Sequence, residues 1–250
     1  MEWYIYVLVI VVGVAVGIIN TIAGSGSLLS LPLLIFLGLD AGMANGTNRV
    51  AILMQSITAV GTFKQHRVFT WHESFRFSVP AVLGSIAGAL LAVNINTVYL
   101  EYTIGGLLIV MFFILLVKPE AWIHDQAGLA QGKPGFWQVV IFVAIGFYGG
   151  FIQAGVGFFL LAGLVLGAGL NLVKANAIKV VIVLFYTPFA LIVFVLANQI
   201  DYKLGLILGV GSMLGAYIGA KLSIKKGAPF IRYFLLVSLF ISALKLFGLF

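Results

Sequence analysis

Two short polar breaks in an otherwise apolar chain hold the residues whose types and spacing could do chemistry. The first is Asn20-Thr21-Ile22-Ala23-Gly24-Ser25-Gly26-Ser27 and the second is Gln153-Ala154-Gly155-Val156-Gly157. Glycine admits backbone geometries that other residues resist, and Ser or Asn near a helix start can cap its free amides. A helix beginning at such a break aims its N–H groups and the positive end of its dipole into it, which is the chemistry of an anion seat. The candidate binding residues of the breaks are therefore Asn20, Gly24, Ser25, Gly26 and Ser27, with Gln153, Gly155 and Gly157 in the second. Small residues also serve simply to let helices pack closely in lipid. Two copies, each ahead of a short apolar run, weigh toward the site.

A second constellation follows each break: Ala44-Asn45-Gly46-Thr47-Asn48-Arg49 and Ala175-Asn176-Ala177-Ile178-Lys179. Asn45 and Asn176 are expected as caps where a long helix opens, and Asn48 adds a further amide. A cation entering an apolar run is costly unless it is paired, snorkels or serves a site, and no carboxylate adjoins Arg49 in sequence. Arg49 and Lys179 are thus the candidates for drawing an anion inward from opposite faces, with snorkelling to headgroups as the alternative. Lys174 reads as an interfacial anchor.

The elements that must position these residues follow from composition. Of 250 residues, 62% are hydrophobic, 8% are charged and none is cysteine; mean hydropathy is +1.19. A soluble domain carries about a quarter charged residues, so most of this surface faces lipid. Apolar runs fall at about 3–22, 28–43, 46–63, 77–93, 98–117, 136–153, 158–170, 177–197, 204–220 and 231–249, the second and seventh being short for a crossing. The first lacks a positive lead and is expected as an uncleaved span. Sliding the sequence on itself by 131 aligns Gly24 with Gly155, Gly26 with Gly157, Gly38 with Gly169, Asn45 with Asn176, and Gly84 and Gly88 with Gly215 and Gly219. Residues 1–117 read as a first repeat, 118–134 as the loop between repeats and 135–250 as the second.

If all ten runs cross, one side collects Lys64, Arg67, Arg76, Lys118, Lys133, Lys174, Lys179, Lys221, Lys225, Lys226 and Arg232, against Arg49, Lys203 and Lys245. That is a positive-inside pattern. An odd number of crossings per unit turns the second copy over, so the expected fold is an all-α polytopic membrane protein built of two inverted five-segment repeats. It has about 8–10 transmembrane helices, two of them short or re-entrant.

Other chemistries find little support. The net charge of +7 lies between apolar runs, where topology rather than nucleic acid accounts for it. His66, His72 and His124 sit in loops without zincin spacing. Ser25 has no histidine base within any apolar run, so hydrolase chemistry is not expected. The absence of cysteine excludes thiolate sites and disulfides. Trp and Tyr near the run ends form an interfacial belt. Pro188 either frees carbonyls for a ligand or shapes packing. The cluster Lys221, Lys225, Lys226 and Arg232 could meet anionic lipid, although orientation explains it. No Asp or Glu lies deep in a run, which leaves a carboxylate proton relay unsupported.

The run from Asn20 through Pro32, followed by Ala44-Asn45-Gly46-Thr47-Asn48-Arg49-Val50, resembles the first-half signature of the TauE/SafE sulfite exporter family. Ala154-Gly155-Val156-Gly157 and Lys174 to Lys179 resemble its repeat. Gly24-Ser25-Gly26 stands where family members often carry three glycines, and valine takes the middle place in the second copy. The resemblance implies a multi-pass plasma-membrane transporter of sulfite, sulfonates or related small sulfur-containing anions. The expected function is therefore a secondary transporter holding its substrate near the midplane at the two breaks, with a passive anion or small-solute channel as the alternative. Its partners are a small anionic substrate and membrane lipid; no enzyme activity, cofactor or metal is expected.

Overall fold

A computed structural model describes residues 2–95 and 135–246. The fifth apolar run and the loop 118–134, with His124, lie outside the described residues. All described elements are helical: α1 (Trp3–Ile22), α2 (Ser27–Phe36), α3 (Ala41–Gln65), α4 (Trp71–Asn94), α5 (Phe136–Phe151), α6 (Val156–Ala162, prolonged by a π-helical turn Gly163–Gly167), α7 (Leu172–Leu196) and α8 (Tyr202–Leu246). Gly227 breaks α8 with φ 70° and ψ −165°. Helices α1, α4, α7 and the stretch Tyr202–Leu235 are long and apolar enough to cross a membrane. Helix α3 has the length, at 25 residues, but its first half is polar and buried rather than turned to lipid.

The short helices are shorter than the apolar runs they overlap. At 1.5 Å per residue, the ten residues of α2 cover about 15 Å of a roughly 30 Å hydrocarbon core. Gly38 (φ 98°) and Gly169 (φ 68°) adopt the left-handed conformation just past the short helices, the usual stop signal. Asp40 and Asn171 then cap the next long helices, accepting from Met43 N at 2.8 Å and Lys174 N at 2.9 Å. The expected caps Asn45 and Asn176 are thereby corrected: both lie a turn inside α3 and α7. The cause is that residues 41–44 and 172–175, apolar apart from Lys174, read as a continuation of the preceding run although they open the next helix.

Some of the element bounds repeat at the same offset of 131. Shifting α3 by 131 gives both bounds of α7, and shifting Trp71 gives Tyr202, where α8 starts. Arg67 and Asn198, also 131 apart, are left-handed at φ 53° and 54°. Contacts between halves are exchanged in the same way. α1 packs on α8, with a Cβ built on Gly211 meeting Ile10, on Gly215 meeting Val14 and Ile18, and on Gly219 meeting Ile18 and Thr21. These two helices therefore run parallel. α4 packs on α5, Ala81 against Gly146 and Ser85 against Gly150, again parallel. α3 and α7 lie antiparallel, with Gly46 beside Phe194 and Gln199, and Ile52, Gln55 and Ser56 around one hollow with Lys179, Val180 and Val183.

The ends of the bundle differ in charge. One end joins Asp201 N to Thr47 Oγ1 (2.8 Å), the Gln199 amide to Val93 O (3.4 Å) and Lys203 Nζ to Tyr6 Oη (2.5 Å). The other joins Lys174 Nζ to Glu73 Oε1 at 2.7 Å and Asn176 Nδ2 to Ser223 Oγ at 3.3 Å, and it gathers Lys64, Arg67, Arg76, Lys221, Lys225 and Lys226. Lys174 is thus an ion-pair partner linking α7 to α4. Pro188 lies inside an unbroken α7.

Candidate functional site

The two breaks meet. Gly24 (φ 79°) lies against Gly157, so that a Cβ on either would collide with the Cα of the other, and Gly157 N donates to Gly24 O at 3.3 Å. Glycine at these positions is what permits backbone to touch backbone. In the second break Gln153 (φ 66°) and Gly155 (φ 70°) are both left-handed. A non-glycine residue in that region is strained and persists only where its surroundings fix it. Gln153 is fixed on both sides: its Oε1 accepts from Arg49 Nη1 at 3.3 Å, and its Nε2 donates to Thr187 Oγ1 at 3.2 Å and Tyr186 Oη at 3.4 Å. The Tyr148 hydroxyl donates to Ala154 O in the same turn.

Beside the touching glycines lies a narrow cavity, part of it open to the exterior. Its walls are Asn20, Thr21 and Gly24 from the end of α1 and its break, Ile52, Gln55 and Ser56 from α3, Gln153, Val156 and Gly157 from the second break, and Lys179, Val180 and Val183 from α7. Of the residues expected at the site, Asn20, Gly24, Gln153, Gly157 and Lys179 line it. Lys179 is 1% exposed, and its Nζ donates to Asn20 O at 3.2 Å and Thr21 O at 3.0 Å. These are last-turn carbonyls of α1, the negative end of that helix, where a cation is favoured.

Arg49 is placed in the reciprocal way, without lining the cavity. Fully buried, it donates from Nη1 to Gly149 O (3.1 Å) and from Nη2 to Gly150 O (2.5 Å), carbonyls near the end of α5. Nη2 also donates to Asn45 Oδ1 at 3.3 Å, and the guanidinium carbon lies 4.5 Å from the centroid of the Phe194 ring. Neither cation is bonded to a carboxylate among the described residues. Full burial also removes the snorkelling alternative for Arg49.

The remaining expected residues bond or pack within the protein outside the lining of this cavity. Asn45 Nδ2 donates to Phe151 O at 2.7 Å. Asn48 ties α3 to α2, donating to Ser27 Oγ at 3.1 Å and accepting from Ser30 Oγ at 2.6 Å. Asn176 bonds Ser223, and its Oδ1 has no partner among the described residues. Ser25 is buried outside the lining, Gly26 packs on Val16 and Asn20, and Gly155 holds the N-cap position before α6. No residue of α2 lines the cavity and no described side chain caps that helix; the cavity lies between the carbonyl end of α1 and Val156 and Gly157 at the start of α6. Sequence reasoning missed Thr21, Ile52, Gln55, Ser56, Val156, Val180 and Val183. A signal for part of this set existed in the spacing 48, 52, 55, 56, which is one face of a helix.

A model of the family described as "Sulfite exporter TauE/SafE" matches residues 9–246. A "Probable membrane transporter protein" of Haemophilus influenzae is 28% identical over 235 residues, covering 94% of this chain and 91% of the relative. "Probable membrane transporter protein ORF9" of a Sinorhizobium species and "Probable membrane transporter protein YfcA" of Escherichia coli K12 are each 28% identical over 221 residues. Those alignments cover 88% of this chain, and 84% and 81% of the relatives respectively. No solved structure matches.

Proposed function

The chain belongs to the sulfite exporter TauE/SafE family of membrane transporters, and from that premise we propose that it is a secondary transporter of small sulfur-containing anions such as sulfite or a sulfonate. One observation carries the choice of an anion. Two fully buried cations, Arg49 and Lys179, flank the junction of the breaks with no bonded carboxylate among the described residues, and Lys179 lines the cavity there. An ammonium has three N–H donors, two of which go to Asn20 O and Thr21 O. The third is left for a ligand, and a bond from a charged donor to an oxyanion is of the strong kind. A buried charge is costly without a counter-charge, so a negative solute beside Lys179 is stabilised while neutral solutes gain nothing comparable. The reading thus places Asn20, Gly24, Gln153, Gly157 and Lys179 at the substrate and makes Arg49 and Asn45 supports of the second break.

In this reading residues 1–117 and 135–250 are inverted repeats joined by 118–134. The parallel pairs α1 with α8 and α4 with α5, and the antiparallel α3 and α7, support it, since same-way repeats would oppose the first two pairs. The basic end is cytoplasmic by the positive-inside rule, and rocking of one half against the other exposes the cavity to each side in turn.

The test is uptake of labelled sulfite and sulfonates into proteoliposomes, compared with Lys179→Met. Saturable uptake with counterflow, lost in the variant, is the expected result. Rapid flux that does not saturate would make the protein a channel, and flux that is indifferent to Lys179→Met would remove the cavity from the pathway.

A further inference from the structure

The described helices are joined by two kinds of contact, and the kinds separate in space. Where α1 meets α8, a Cβ on Gly13 would strike Leu208 O and one on Gly17 would strike Ser212 O. α8 closes on α3 as well, with Gly205 against Thr47 and Val50 and Gly209 against Ala51 and Met54. Where α4 meets α5, Gly84 and Gly88 stand against Val143 O and Phe147 O. α7 joins that pair through α4: the ring centroids of Phe75 and Phe185 are 4.8 Å apart, and Glu73 pairs with Lys174. Backbone laid on backbone has no side chain to re-rotate, and in lipid such close packing itself drives association. These seams bind α1, α3 and α8 into one body and α4, α5 and α7 into another.

A reciprocal set of side-chain hydrogen bonds crosses between the bodies. Arg49 of α3 reaches Gly149 O and Gly150 O at the end of α5, and Asn45 reaches Phe151 O. In return Lys179 of α7 reaches Asn20 O and Thr21 O at the end of α1, and Asn176 reaches Ser223 of α8. Bonds of this kind exchange for bonds to water at small net cost. The cavity lies on the same boundary, with Thr21, Ile52 and Ser56 from one body facing Val156, Lys179 and Val183 from the other.

Resting on the transporter reading above, we infer that the units which rock are the sequence halves after each has traded one helix: α1–α3 with α8 against α4 with α5–α7. Moving residues 1–117 and 135–250 as continuous blocks would part the α1–α8 and α4–α5 seams. Moving the traded bodies keeps those seams closed, exchanges the bonds of Arg49, Asn45, Lys179 and Asn176, and opens the cavity along the line where its walls already divide. Packed interfaces travelling as rigid units around a ligand are the usual form of such closure.

The chain has no cysteine, so introduced pairs supply its only thiols. Tyr6→Cys with Lys203→Cys ties α1 to α8, and Phe75→Cys with Phe185→Cys ties α4 to α7; each pair joins the two sequence halves inside one body. Asn176→Cys with Ser223→Cys ties α7 to α8 across the boundary. A short bis-maleimide for the first two pairs and dibromobimane for the third form thioethers that withstand sulfite, and mass spectrometry reads the extent of linking. Uptake of labelled sulfite and ethanesulfonate into proteoliposomes is measured before and after. The links within a body are expected to leave at least about half of the uptake, and the boundary link to lower it about tenfold beyond the reagent's effect on either single-cysteine parent, as blocking a required conformational step would. Loss of uptake on linking either pair within a body, or full uptake with the boundary pair linked, would overturn the inference and leave the anion reading standing. Uptake of neither anion before linking would overturn both. The pairs within a body decide the matter even if the boundary variant does not fold, because each already fastens residues 1–117 to 135–250.

Discussion

Replacing each buried cation by methionine should separate scaffold from substrate contact, because the two effects are predicted to fall in opposite order. Arg49→Met keeps much of the side-chain volume but deletes the guanidinium, leaving Gly149 O, Gly150 O, Gln153 Oε1 and Asn45 Oδ1 each without a donor. At about 1 kcal/mol per lost bond, the loss is about 4 kcal/mol. Lys179→Met deprives only Asn20 O and Thr21 O, or about 2 kcal/mol on the same scale. Each variant also escapes burying a charge, which lowers both figures and leaves their order intact. For a chain of this size, about 2–4 °C per kcal/mol puts the drop in melting temperature near 8–16 °C for Arg49→Met and about half that for Lys179→Met. Transport runs the other way: Lys179→Met removes the cation facing the cavity and abolishes sulfite uptake, whereas folded Arg49→Met retains a measurable fraction. Scanning fluorimetry in detergent and uptake per milligram of folded protein in liposomes read the two quantities separately. A larger thermal loss for Lys179→Met, or an Arg49→Met protein of wild-type melting temperature that carries nothing, would refute the assignment.

Two further outcomes follow from local geometry. Gly24→Ala places a methyl group into the Gly157 backbone at a left-handed residue; strain of about 1–2 kcal/mol and overpacking of about 1–3 kcal/mol should lower both melting temperature and uptake, while Gly61→Ala, with open space around its Cβ, leaves both near wild type. Asp40→Ala and Asn171→Ala should each cost about 1 kcal/mol, and because they cap corresponding helices their thermal losses should match, which differential scanning measurements will check.

What the sequence disclosed and what it hid have separate physical origins. Paired glycines at an offset of 131 are legible in the sequence because a backbone that must turn left-handed or touch another backbone tolerates little else; Gly24 with Gly155 and Gly38 with Gly169 all have positive φ. Helix starts were less legible. Hydropathy merges Ala41-Gly42-Met43-Ala44 with the short helix before it, so Asn45 outcompetes Asp40 as a cap, although Gly38 two residues earlier marks the stop. The cavity walls were hidden for another reason. Whether Gln55 and Ser56 face inward depends on how α3 lies against the other half, and hydropathy along one helix carries no information about its neighbour. Lys179 could be picked out because a cation inside an apolar run is anomalous by itself; Thr21 and Val183 are ordinary residues until the fold brings them together.

On the inverted-repeat reading the two halves share a scaffold but differ at the positions beside the two helix ends. At the offset of 131, Lys179 stands opposite Asn48, Val180 opposite Arg49, Tyr186 opposite Gln55 and Thr187 opposite Ser56. At the end of α5, Arg49 occupies the carbonyls of Gly149 and Gly150, and Gln153 bridges it to Tyr186 and Thr187. The negative end of that helix is thus stoppered by the protein's own fork and amide. At the end of α1 the same task falls to one lysine with two bonds, and valine replaces the arginine, so the space a guanidinium and a bridging glutamine would fill is left as the cavity. On the proposed reading, repetition of a helix–break–helix unit supplies two helix ends that want positive charge, and divergence at these four positions, together with Ile22 opposite Gln153, closes one of them and leaves the other for a solute.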